Sequence, residues 1–171
     1  MREKDLQYFS EFLKEFQKET DRGAALVGVA LIDSRLKRIL TSHLIDSKIT
    51  NELFEGANAP LGTLSSRLKL CYSLGLITEL EYKETNYIRK IRNEFAHQEH
   101  GLKFEDSPVR DYISHLRANT PDGNRFDENP RQLFINSVIM TSLAFWYRPE
   151  YAKVQKAEKR QWDWQLVPDE K

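Results

Sequence analysis

Cysteine is almost absent from the sequence: Cys71 is the only one among 171 residues. A lone cysteine excludes an internal disulfide and leaves no thiolate cluster for zinc. An excess of either charge is also absent, because 26 lysine and arginine residues stand against 26 aspartate and glutamate residues, so no global basic field attracts nucleic-acid phosphates. No apolar run approaches the roughly 18 residues of a membrane span, and the N-terminus has no signal-peptide core. We therefore predict a cytoplasmic protein with no membrane association.

The alternating pattern of β-strands is missing as well, and apolar residues instead recur at the helical spacing of three and four, first in residues 4–19. The length suits one domain with a real core. We predict an all-α, single-domain bundle of six or seven helices over residues 1–150. A charged tail follows over residues 151–171, and we expect its two tryptophans, Trp162 and Trp164, to pack back onto the domain.

The second predicted helix begins at Thr20 or Asp21 and runs to about Leu40. Small residues crowd its first half, where they allow another helix to approach closely. Gly28, in the helix interior, costs about 1 kcal/mol relative to alanine, so we expect a packing reason for it. Residues 41–62 then mix glycine, asparagine and proline, which predicts a short helical turn followed by a loop.

The next two helices carry clear end signals. One covers Thr63 to Leu74, and Gly75 follows it at the position that favours a left-handed conformation. The other begins with a capping box formed by Thr78 and Glu81, and its apolar face persists until His97. This last helix is the one with the most distinctive end.

Two proline signals start the remaining helices. Ser107 followed by Pro108 is one, and Asn129 followed by Pro130 is the other. The second of these helices is apolar nearly all round, and we expect Pro149 to end it. A helix of this kind belongs in the core or in a subunit interface, so we predict a homodimer formed through it.

Three sequence blocks go beyond generic helix: "ETDRGAALVGVALIDSRL" from Glu19, "LFEGANAPLGTLSSRLKLCYSLGLI" from Leu53 and "IRKIRNEFAH" from Ile88. In order and spacing, over residues 19–97, they resemble the mannitol repressor family of bacteria. The resemblance implies an all-helical cytoplasmic protein described as a transcriptional regulator and named after a repressor of mannitol uptake and utilisation genes. It also implies that the chain lacks a recognisable DNA-binding module.

The sequence shares that absence. A helix-turn-helix needs a recognition helix with several polar and basic residues facing the DNA groove. The nearest helix pair here opens its second helix with Glu79, Glu81 and Glu84, which repel phosphate. We therefore predict no direct sequence-specific DNA binding, and regulation through a protein partner, for which a DNA-binding regulator is one candidate.

The alternative function is that of a HEPN-like, metal-independent RNase, or of an inactive relative that binds RNA or a partner. Arg92, Asn93 and His97 are similar in spacing to the motif of HEPN-type RNases, in which two copies meet across a dimer to cleave RNA without metal. This resemblance implies that His97 acts as general acid or base, Arg92 stabilises the phosphorane charge and Asn93 orients the pair. On an ideal helix, however, Arg92 and His97 lie about 140° apart.

A structural interpretation competes with catalysis at this helix end. His97 lies in the last turn, where the helix dipole favours a cation, and Arg92 belongs to a solvated basic face. We favour this interpretation and predict that the chain is not an enzyme.

Other residues are candidates for structural or binding roles. Asp33 and Arg67 lie inside otherwise apolar helices, so they form either a buried ion pair or two separate surface sites. Asp21 and Arg22 could line a pocket with Asn58, although a helix cap explains Asp21 equally well.

No motif indicates a metal or a cofactor. His97 and His100, with Glu94 and Glu99, do not have the spacing of metal ligands, and there is neither a glycine-rich phosphate loop nor a nucleophile elbow. We therefore predict that the chain needs neither.

Overall fold

The computed structural model describes residues 2–98, 100–117 and 129–162, and within these ranges every regular element is helical. The all-α prediction is therefore confirmed. The described ranges contain eight helices, and only Tyr147 separates the last two. When these two are counted as one broken helix, the total is seven, which agrees with the predicted six or seven. No helix of the described ranges is long and apolar enough to cross a membrane. The helices are α1 (Glu3–Phe16), α2 (Asp21–His43), α3 (Lys48–Glu52), α4 (Leu64–Ser73), α5 (Glu79–His97), α6 (Val109–Ile113), α7 (Pro130–Trp146) and α8 (Arg148–Val154).

Helix α2 is the central element of the bundle. It packs against α4, α5, α7 and α8, and α1 covers a further part of it. Its buried residues lie on one broad face, within an arc of about 160° at 100° per residue, which is wide enough to contact several helices. The buried positions of α2 are Ala24, Ala25, Gly28, Val29, Ile32, Arg35, Leu36, Ile39 and Leu40.

Gly28 lies on the face of α2 that packs against α7. A Cβ atom at this position would stand 3.0 Å from Val138 Cγ2 and 3.2 Å from Phe16 Cζ, both shorter than ordinary carbon contacts. The expected packing reason for this glycine is therefore confirmed. Because glycine has no side chain, Val138 of α7 and Phe16 of α1 can both pack against α2 at this position.

The helix ends follow the local sequence signals closely. Thr20, rather than Asp21, caps α2, because its hydroxyl accepts a hydrogen bond of 3.0 Å from the backbone N–H three residues later. Gly75 adopts a φ of +68° after α4, and Thr78 and Glu81 form a reciprocal capping box at the start of α5. These predictions of helix ends are confirmed, and Asp21 is left free for another role.

Helix α7 begins as predicted but ends differently. Asn129 caps it, since its side chain accepts a hydrogen bond of 2.9 Å from the N–H of Gln132. The expectation that Pro149 ends this helix is wrong. The helix stops at Trp146, and Pro149 lies in the first turn of α8, where its missing N–H leaves no hydrogen bond unmade.

Most of the apolar surface of α7 is used inside the chain. Its buried residues face α2, α5 and α6, and Met140 is a large apolar side chain that it leaves exposed. The helix thus belongs to the core, the first of the two places expected for it. The homodimer through α7 stays a prediction, with little apolar surface left on this helix to form it.

The segment after residue 150 is partly packed on the domain. Ala152 of α8 is buried, and the backbone N–H of Ala157 donates to the carbonyl of His43 at 2.7 Å. Trp162, in contrast, is 80% exposed, so the expectation that its ring packs back is wrong. Trp164 lies outside the described residues. The domain boundary at residue 150 stays a prediction.

Substitution of Gly28 by leucine tests the close contact of α2 and α7. We expect the free energy of unfolding to fall by about 1–3 kcal/mol, because overpacking against Val138 and Phe16 outweighs the gain of about 1 kcal/mol in helix propensity. Urea denaturation followed by circular dichroism measures the change. The matched control is Ala30→Leu, an exposed position of the same helix, which should shift stability by less than about 0.5 kcal/mol. Equal stability of both variants and the native chain would contradict the tight packing.

Candidate functional site

The end of α5 holds the three residues of the suspected RNase motif. The helix continues unbroken through His97, and the N–H of Gln98 still donates to Glu94 O at 3.2 Å. Arg92 and His97 therefore stay about 140° apart around the helix axis. Arg92 and Asn93 are half-buried and His97 is exposed, and none of the three side chains forms a hydrogen bond or ion pair with another described residue. Asn93 and His97, four residues apart, share a face of α5, but Arg92 does not lie on the face of His97, so the motif stays a prediction that requires a second copy.

Asp33 and Arg67 meet between α2 and α4. Arg67 Nη1 lies 2.5 Å from Asp33 Oδ2, and Arg67 Nε donates to the carbonyl of Leu61 at 2.7 Å. The Arg67 side chain is only 9% exposed, whereas that of Asp33 is 30% exposed. Of the two interpretations, the structure shows the ion pair. One guanidinium thereby joins α2, α4 and the loop that precedes α4.

Asp21 anchors the start of α2 to two distant segments. Its Oδ2 accepts a hydrogen bond of 3.3 Å from the N–H of Phe104, and its Oδ1 lies 3.3 Å from Arg131 Nη1. Arg131, at the start of α7, also donates from Nη2 to the carbonyls of Gln17 at 3.1 Å and Glu19 at 2.5 Å. The carboxylate and the arginine together hold the connection between α1 and α2 against α7.

The remaining two candidates lie apart from this anchor. Arg22 Nη1 donates to the carbonyl of Gln98 at 3.0 Å, just beyond the end of α5. Asn58 is exposed in the loop between α3 and α4. Asp21 and Arg22 thus both form hydrogen bonds with the segment that follows α5, at Phe104 and at Gln98 respectively. A pocket shared with Asn58 stays a prediction.

Two further arginines, which sequence reasoning missed, connect α8 and α7 to the rest of the bundle. Arg148 Nη2 lies 2.6 Å from Glu81 Oε1, and Arg148 Nη1 donates to the carbonyl of Leu76 at 3.0 Å. Arg35 of α2 is buried and places its guanidinium carbon 3.7 Å from the ring centroid of Trp146.

A sequence signal for Arg35 did exist. It lies three residues after Ile32 and four before Ile39, and both of these are fully buried. A charged residue within an apolar helical stripe indicates a buried charge that has a specific neighbour. For Arg148 no comparable local signal exists, because its partner Glu81 lies 67 residues away in the chain.

The described residues offer neither a reactive thiolate nor a group of metal ligands. Burial raises the pKa of the Cys71 thiol to about 12, so the thiolate is not populated at neutral pH. In the ranges 2–98, 100–117 and 129–162, histidine, cysteine, aspartate and glutamate side chains form no group of three that could hold a metal ion.

Removal of the Asp33 carboxylate tests the ion pair between α2 and α4. For Asp33→Ala we expect a loss of about 1–3 kcal/mol in the free energy of unfolding, because Arg67 stays buried without its partner. Glu52→Ala is the control, since it removes an exposed pair with Lys48 at 3.9 Å and should cost at most about 0.5 kcal/mol. Chemical denaturation compares the two, and equal losses would contradict a structural role for the buried pair.

Comparison with known proteins places the chain in a family. The family model described as Mannitol repressor (MtlR) matches residues 30–143, two thirds of the chain. The mannitol operon repressors of Escherichia coli strain K12 and strain O6:H1 are each 38% identical to the chain over 52 residues. That aligned stretch covers 30% of this chain and 27% of each relative's length.

A solved structure shows a likeness in fold over most of the chain. It is the X-ray structure of the MtlR-HPr complex from Escherichia coli, which aligns with a TM-score of 0.54 and 21% sequence identity. The alignment covers 84% of this chain and 97% of the other, and at this identity it bears on the fold alone. Since the family model spans α2 to α7 and the fold agrees, the chain belongs to the mannitol repressor family.

Proposed function

We propose that the chain is a non-enzymatic regulator of transcription that acts through a protein partner rather than by reading DNA itself. The observation that carries this proposal is the family match over residues 30–143, combined with a helix pair that is unsuited to DNA recognition. That mannitol genes are its targets is part of the proposal and rests on the names of its relatives. Its cytoplasmic location stays a prediction.

The pair formed by α4 and α5 is the nearest counterpart of a helix-turn-helix. A recognition helix places its N-terminal residues against base edges and phosphates. Here α5 begins with Glu79, whose carboxylate pairs with Lys83 at 2.6 Å. Glu81 lies in the same first turn, and its carboxylate is occupied by the capping box and by Arg148. Acidic side chains that are engaged in internal contacts at this end oppose DNA binding.

Three arginines of the described chain are not available to phosphates either. Arg67, Arg131 and Arg148 each hold a carboxylate and at least one backbone carbonyl of a neighbouring segment. Their charges are therefore committed to the fold. With a net charge of zero, the chain lacks the sequence-independent attraction that supplies most nonspecific DNA affinity.

For the partner we propose HPr. The support is the solved Escherichia coli complex, which contains a protein of the same fold bound to HPr. A partner of this kind fits a regulator without its own DNA-reading element, because it connects the chain to a signal through a protein interface. The predicted homodimer and a DNA-binding regulator as second partner remain part of the proposal.

Binding measurements test the partner and the DNA proposals separately. By isothermal titration calorimetry we expect the purified chain to bind HPr from its own organism, with Escherichia coli MtlR and HPr as the positive control. In gel-shift assays at about 0.15 M salt, where nonspecific attraction is weak, we expect no sequence-specific retention of promoter DNA by the chain alone. A scrambled DNA of equal length is the control. Specific retention would contradict the indirect mechanism, and a failure to bind HPr would contradict the choice of partner.

Incubation with RNA tests the enzymatic alternative. We expect total cellular RNA to remain intact with the native chain in the presence of a metal chelator, because α5 keeps Arg92 and His97 on different faces, about 140° apart. The His97→Ala variant, purified in parallel, controls for contaminating nucleases. Cleavage by the native chain that the variant lacks would make His97 catalytic and overturn the non-enzymatic proposal.

A further inference from the structure

A polar cleft lies between the start of α1, the outer face of α2 and the junction of α7 with α8. Its volume is about 370 Å³, within the range of small-molecule sites. Tyr8 and Trp146 provide aromatic surface, and Arg35 and Arg38 line it from α2. Since the two arginines are three residues apart on one helix, they lie on the same side of it.

Along one wall of the cleft, the polar groups form hydrogen bonds with one another. Arg2 Nη2 donates to both carboxylate oxygens of Glu150, at 2.7 and 2.8 Å. The Tyr147 hydroxyl donates to Asp5 Oδ2 at 2.7 Å and accepts from the backbone N–H of Arg2 at 2.7 Å. The two carboxylates of the cleft are thus already engaged by groups of the wall itself.

Arg35 and Arg38 have no such partners. Arg35 is only 6% exposed, and its Nε atom is buried without a hydrogen-bond acceptor among the described residues. A buried polar group without a partner carries a desolvation cost that an added acceptor would remove. The exposed side chain of Arg38 likewise has no ion pair or hydrogen bond within the described part of the chain.

The electrostatics of Arg35 agree with this geometry. Its pKa is lowered, first by burial and then by the positive charge of Arg38, while Tyr8 and Asp5 raise it. The lowering causes outweigh the raising ones, so Asp5 and Tyr8 do not offset burial and the repulsion from Arg38. An anion placed beside both arginines would supply that compensation.

We propose that this cleft binds a small anion carrying a phosphate or carboxylate group. Its oxygens accept hydrogen bonds from the guanidinium groups of Arg35 and Arg38, which are planar donors suited to such anions. The rest of the ligand lies against the exposed ring of Tyr8. Arg35 is already held against Trp146, so the buried half of the site is preorganised.

This site goes beyond the proposed regulatory function and does not depend on it. It would give the chain a small-molecule effector whose binding couples α1 and the junction of α7 and α8 to α2. Binding of HPr and binding of an anion are measured separately, so either proposal can fail alone.

Calorimetric titration with inorganic phosphate, glycerol 3-phosphate and succinate tests the site, at an ionic strength kept constant with chloride. We expect at least one of the three to bind the native chain with a millimolar or lower Kd. Arg38→Gln should weaken that binding by about tenfold or more, the loss of about 1.4 kcal/mol expected for a charged hydrogen bond. Arg38 is the better target, because substitution of buried Arg35 could disturb the fold.

Arg110→Gln is the matched control, since it removes the same charge from an exposed position on α6. It should bind the anion like the native chain, and circular dichroism verifies that both variants are folded. Preference for the two phosphates over succinate identifies a phosphate ligand, and the reverse identifies a carboxylate. Equal weakening by both variants would reveal general screening rather than a site, and absence of binding by all three anions at millimolar concentration would overturn the proposal.

Discussion

The close contact between α2 and α7 at Gly28 is the constraint on which the bundle depends. Because no side chain stands between them there, Val138 and Phe16 reach the backbone of α2, and the other helices can close around both. Small residues at Ala24 and Ala25 continue this buried surface along the first half of α2. The same broad face of α2 also packs against α4, α5 and α8, so a change in packing at Gly28 affects the surface that these helices share.

Three arginines join helices to neighbouring segments of the chain. Arg67, Arg131 and Arg148 share one mode of action, in which a guanidinium bonds a carboxylate on one segment and a backbone carbonyl on another. The five N–H donors of the guanidinium make such double engagement possible, whereas a lysine offers only a point charge. Arg35 differs because its guanidinium stacks on the ring of Trp146 and its Nε–H has no hydrogen-bond acceptor among the described residues. The distinction separates arginines that serve the fold from one that is available for a ligand.

The sequence predicted those features whose causes are local. The capping box at Thr78, the left-handed Gly75 and the cap at Asn129 depend on three or four neighbouring residues, so their side chains alone reveal them. The pairing of Arg148 with Glu81 depends on the folded path of the chain, and a neutral chain with 26 residues of each charge offers many alternative partners. For the same reason the arginine cleft, which joins α1, α2 and the end of α7, could not be assembled from any single stretch of sequence.

The order of the helices along the chain has a consequence for synthesis in the cell. Helix α2 ends at residue 43, but its partner α7 is complete only at residue 146, so about 100 residues must be translated before the Gly28 surface can be covered. At ribosomal speeds of about 5–20 residues per second this leaves roughly 5–20 s in which the apolar face of α2 has only α1, α4 and α5 for cover. A nascent chain in this state exposes an unfinished core, which is the kind of surface that chaperones recognise. Completion of the protein therefore waits for its last long helix.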